Sequence, residues 1–187
     1  MSVSKDEASS ALQDIEATER RSRLLFGYGL ASPYLLMWGA LWLIASTIGA
    51  VSPAHTGIGW SAVDMVGLVG NAFLMIRQTR RCGERSERVR LLRYFGTAAV
   101  LVAFIGLTLM VLAPLTGIEI LMFFTLLVAA GFTISGCWSG LRHAAIGVAL
   151  GSLAVGVFLL APAYLHLIVP FAGGGALILG GLWMRRA

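Results

Sequence analysis

The sequence predicts an all-α, polytopic membrane protein: six transmembrane helices arranged as three helical hairpins, N-in/C-in, preceded by a short cytoplasmic amphipathic helix. Three observations predict this. Of the 187 residues, 58% are hydrophobic and only 12% are charged. Soluble domains average about 25% charged residues, so too little polar surface remains to cover a water-soluble fold. Six apolar runs follow one another, each near the roughly 20 residues that a bilayer crossing needs. Finally, all 14 basic residues fall on one side of the resulting layout, and an excess of Lys and Arg marks the cytoplasmic side.

Residues 1–26 read as a cytoplasmic or interfacial helix. Ser4 and Glu7 have capping-box spacing, in which each side chain satisfies a backbone N–H of the first turn. Ala8, Leu12 and Ile15 recur at helical spacing and form a narrow apolar stripe. Arg20, Arg21 and Arg23 then meet the membrane. Five acids (Asp6, Glu7, Asp14, Glu16, Glu19) and the lack of an early apolar core argue against a signal peptide. Such a helix either lies on the lipid headgroups or serves as a docking handle for a cytoplasmic protein partner.

Residues 27–187 form the transmembrane domain, with spans near 27–51, 60–77, 94–113, 118–138, 144–161 and 163–184. Short Pro-bearing links at Pro53, Pro114 and Pro162 join the two helices of each expected hairpin, and none contains Lys or Arg. The other connections are basic. The loop 77–93 holds Arg77, Arg80, Arg81, Arg85, Arg88, Arg90 and Arg93 against two glutamates, a net +5; Arg142 follows the fourth span, and Arg185 and Arg186 follow the sixth. The loop is expected to set topology and to contact lipid, including anionic headgroups, at roughly 1 kcal/mol per basic residue near the surface. It is short and lacks interleaved aromatics, so no nucleic acid is expected. Each third of the chain repeats helix, Pro-bearing link, helix, Arg, which suggests hairpins about a rough threefold axis. The 23 glycines fit a membrane bundle, where small residues let backbones approach. Pro33, and Pro170 before Gly173-Gly174-Gly175, mark expected kinks or close approaches.

The charge partition isolates few polar groups elsewhere. Fourteen basic against seven acidic residues leave +7 inside, and the remaining acids, Asp64 and Glu119, lie toward the outer side. Asp64 sits roughly 6 Å inside the second span at 1.5 Å per residue. Asn71 follows two turns later on the same stripe, beside Gly67 and Gly70. His55 lies in the first outer link and His166 near the start of the sixth span. Ionisable groups in lipid usually face the bundle interior. Asp64, Asn71, Glu119, His166 and His55 are therefore the candidate polar pocket, open outward and suited to a cation, a polar solute or a proton. The alternative is that Glu119 and His166 are solvated at the interface and Asp64 is bonded locally.

No enzymatic constellation stands out. Cys82 and Cys137 lie toward the reducing cytoplasm without a CxxC, the scattered His and acids do not specify a metal, and no cofactor is expected. Thr133-Ile134-Ser135-Gly136 resembles the GxSG of rhomboid-family intramembrane serine proteases but lacks the first Gly. Ser135 and His166 also fall at opposite ends of their spans, whereas a Ser–His pair must approach within about 3 Å. The size and six-span layout are similar to the substrate-binding subunits of vitamin uptake transporters, a likeness of architecture without a shared motif. The leading expectation is a solute-binding or transport-type protein of a bacterial cytoplasmic (inner) membrane. The alternatives are a membrane-bound regulator that docks a cytoplasmic partner through the N-terminal helix and Arg-rich loop, and a structural homo-oligomer packed on its Gly-rich faces.

Overall fold

The computed structural model describes the backbone of residues 5–82 and 87–186, with side chains described outside 5–11, 20, 23, 79–82 and 87–95. The elements are α1 (Lys5–Val51), α2 (Thr56–Cys82), α3 (Glu87–Leu112), α4 (Gly117–Ser139), α5 (Leu141–Leu160) and α6 (Leu165–Arg185), with 3-10 turns at Pro53–His55 and Pro162–Tyr164. All described elements are helical. A backbone in lipid must satisfy its own N–H and C=O groups, and a helix does so within one segment. Among the described residues, five stretches are long and apolar enough to cross a membrane: Leu12–Val51, Pro53–Gln78, Gly117–Ser139, Leu141–Leu160 and Pro162–Arg185. In α3 the described apolar stretch is the shorter Gly96–Leu112.

The N-terminal helix and the first span are one helix, not two. α1 runs unbroken for 47 residues, with Pro33 inside it. Residues 18–26 contain no Pro or Gly, and Arg and Leu are good helix formers, so nothing ends the helix before the membrane. The expected cap at Ser4 lies outside the described residues.

Close backbone approach organises the packing. α1 and α6 form the most extensive pair, followed by α4 with α5, α1 with α2, and α5 with α6. At the α1–α6 crossing, a Cβ on Gly39 would lie 2.7 Å from the Gly174 carbonyl, and a Cβ on Gly174 would lie 3.0 Å from the Gly39 carbonyl. Gly173 receives the Trp42 ring and Gly181 the Leu36 side chain. On the other side, Gly136 faces Ala144 and Gly147 faces Ala129 and Thr133, which draws α4 against α5. Leu35, Trp42, Ile146, Leu150, Leu177 and Met184 fill the interior between α1, α5 and α6.

Of the three expected hairpins, α1–α2 and α5–α6 are packed pairs. Among the described residues α3 packs extensively on no other element, and α4 pairs with α5 instead. Among the described residues, the helix contacts thus do not repeat equally in each third of the chain. The sequence explains the difference. Val100, Leu101, Val102, Phe104 and Leu107 leave α3 with large apolar side chains on all sides, and Gly96 and Gly106 face open space. α4 and α5 instead carry matched small residues on one face, and small faces are what let membrane helices interlock.

Candidate functional site

α2 meets α1 along one face. Val63 and Gly67 are buried there, and Gly67 receives the Trp38 ring while Gly70 receives the Met37 sulfur. The Trp38 indole N–H donates to Asn71 Oδ1 at 3.1 Å. Two turns on, Gln78 Nε2 donates to the Leu30 carbonyl at 2.8 Å and the Tyr34 hydroxyl donates to Gln78 Oε1 at 3.3 Å. Asn71 therefore faces α1 and is paired. Asp64 is exposed, because the α1-facing position in its turn belongs to Val63, and adjacent helical residues point about 100° apart.

The other expected pocket residues are engaged locally. Glu119 closes a capping box at the start of α4: Thr116 N donates to Glu119 Oε2 at 2.6 Å, Thr116 Oγ1 to the same oxygen at 2.9 Å, and Glu119 N to Thr116 Oγ1 at 3.3 Å. His55 Nδ1 shares a 2.7 Å hydrogen bond with Ser52 Oγ. His166 is exposed in the first turn of α6. Among the described residues α2 packs extensively on α1, and no contact brings Asp64 against Glu119 or His166. Among the described residues no group of three or more His, Cys, Asp or Glu is placed to hold a metal. Ser135 donates to the Phe132 carbonyl at 3.0 Å, a local bond. Of the Arg-rich loop, Arg77 is exposed; the side chains of Arg80, Arg81, Arg85, Arg88, Arg90 and Arg93 lie outside the described residues.

The structure assembles a different cluster at the opposite, Arg-bearing end of the bundle. The Arg142 guanidinium on α5 lies 5.2 Å from the Tyr28 ring centroid on α1 and 4.8 Å from that of Trp183 on α6. Its Nη1 donates to the Trp183 carbonyl at 2.7 Å. The His143 ring is buried 5.7 Å from the Tyr28 ring, and its Nδ1 has no partner in hydrogen-bond geometry. A single residue, Gly140, joins α4 to α5 with φ +96°, and a side chain there would meet the Tyr28 hydroxyl. The glycine is thus needed twice, for a backbone conformation L-residues avoid and for space. Sequence reasoning placed Arg142 after the fourth span but related it to none of Tyr28, His143 or Trp183. The only available signal was that Arg142, His143 and Trp183 lie at the Arg-bearing ends of α5 and α6.

Five membrane-length apolar helices with interlocked small-residue faces define this chain as an integral membrane protein. No family model, curated protein or solved structure matches it.

Proposed function

We propose that this is a membrane-anchored interaction module that holds a cytoplasmic protein partner on its Arg-bearing face. One observation carries the reading: α1 is an unbroken helix much longer than a bilayer crossing needs. Its 47 residues span about 70 Å at 1.5 Å per residue, against a hydrocarbon core of about 30 Å. The projecting part exposes Leu12 (61%) and Ile15 (56%) beside Asp14 and Glu16. An arm continuous with a packed transmembrane helix is a rigid lever, and amphipathic helices are read through such i, i+3 anchors. In this proposal both termini are cytoplasmic, and the loop 77–93 steadies the base of the arm on anionic headgroups. The test is affinity purification from native membranes with and without residues 1–20. The deletion should abolish a co-purifying cytoplasmic protein and leave thermal unfolding of the membrane bundle unchanged. Equal co-purification removes the arm from the mechanism.

A second reading, solute binding on the outer half, draws support from Asp64. An exposed carboxylate within an apolar span is costly in lipid and calls for a polar neighbour. The packing of Trp38 onto Gly67 and Asn71 occupies part of the region that an outward pocket would need. The arm therefore takes precedence.

A further inference from the structure

We propose that Arg142, clamped between Tyr28 and Trp183, binds the phosphate of an anionic membrane lipid. This goes beyond the partner reading and does not depend on it.

Arg142 differs from an ordinary interfacial arginine because its plane is held. Aromatic faces from two other helices lie 5.2 Å and 4.8 Å from its guanidinium carbon, distances at which a cation is attracted to a ring. The hydrogen bond to the Trp183 carbonyl uses one of the five N–H donors a guanidinium carries. Among the described residues no carboxylate pairs with Arg142. A guanidinium fork matches phosphate oxygens two at a time. One that is already oriented loses little further freedom on binding.

The surroundings select a lipid. Arg142 stands in the first turn of α5, where the helix dipole adds positive potential. Trp183 lies in the last turn of α6, just before Arg185 and Arg186, and aromatic and basic residues of this kind mark the headgroup level. Leu141 and Trp138, 81% and 79% exposed, flank the site and offer apolar surface to acyl chains. Gly140 completes the device, since its lack of a side chain lets Tyr28 reach under Arg142.

The experiment is native mass spectrometry of the full chain after stepwise delipidation, with phosphatidylglycerol or phosphatidylcholine supplied, and with inorganic phosphate as competitor. The intact protein should retain phosphatidylglycerol about five-fold better than phosphatidylcholine. Arg142→Gln should lose the most tightly retained phosphatidylglycerol, the last to leave on delipidation. Arg142→Lys should fall too, because charge without the planar fork is not enough. Trp183→Leu removes one wall and keeps the charge; it should lose retention, while Trp183→Phe keeps it. The tryptophan pair decides the matter even if Arg142→Gln does not fold. Undiminished retention in Arg142→Gln or in Trp183→Leu overturns the proposal. So does full retention in Arg142→Lys, which reduces the effect to general charge attraction. Displacement by millimolar inorganic phosphate overturns the lipid assignment in favour of a free anion.

Discussion

The Ser32 hydroxyl donates a 2.8 Å hydrogen bond to the Gly181 carbonyl, joining residues 149 positions apart in the chain. Both groups are buried, and the bond locks the Arg-bearing ends of α1 and α6 together. Polar bonds between membrane helices contribute about 0.6 kcal/mol on average and up to about 1.7. Ser32→Ala should therefore destabilise the bundle by about 1 kcal/mol, read as a lowered midpoint of denaturant unfolding in mixed micelles. An unchanged midpoint would mean that the glycine contacts alone hold this end.

The Gly39–Gly174 crossing should be far less tolerant. A side chain at Gly39 meets the Gly174 carbonyl and backbone at Ile178, and backbone cannot step aside as a flexible side chain can. Overpacking of this kind costs about 1–3 kcal/mol. Gly39→Val should reach or exceed the top of that range. Gly175→Ala and Gly106→Ala, at positions facing open space, should be neutral or slightly stabilising in the same assay.

Asn71 and Asp64 lie two turns apart and should behave differently. Asn71 is bonded to Trp38, whereas Asp64 is exposed. A double-mutant cycle of Trp38→Phe with Asn71→Leu should give a coupling of about 0.6 kcal/mol. Asp64→Asn should change stability by less than about 0.5 kcal/mol. A large loss in Asp64→Asn would show that the carboxylate has a partner in the membrane.

At Gly140 the cost is conformational as well as steric. Holding a non-glycine residue at φ +96° costs of order 1–3 kcal/mol, and the new Cβ also meets the Tyr28 hydroxyl. Gly140→Ala should lower the unfolding midpoint accordingly. Combining it with Tyr28→Phe should recover part of the loss, because only the steric share is relieved.

Topology is open to a direct labelling experiment in a Cys82→Ser, Cys137→Ser background. With both termini inside, Ala54→Cys and Ala163→Cys in the Pro-bearing links should react with a membrane-impermeant maleimide on intact cells. Gln13→Cys should react only after permeabilisation. The reverse pattern would place the Arg-bearing end outside.

Much of the fold was legible in the residues because its causes are local. Each apolar run must satisfy its own backbone, so the helices fall where the hydropathy places them, and the breaks fall at Pro53, Pro114 and Pro162. α1 runs on through the Arg20–Arg23 cluster because a change of charge does not by itself end a helix. The candidate pocket fared differently. Glu119 carries capping-box spacing with Thr116, so its carboxylate is used by the start of its own helix. Asp64 and Asn71 share a stripe in the sequence, but the width of the α1–α2 contact admits only Asn71.

The sequence by itself determined that this chain is helical and that its helices are apolar enough to cross a membrane. These follow from burial of each segment in lipid and need no knowledge of neighbours. Only the tertiary structure decided that α4 pairs with α5 and that Tyr28, Arg142 and Trp183 meet. In lipid all apolar faces are solvated alike, so helix pairing depends on which small residues interlock, and that is a property of two surfaces together.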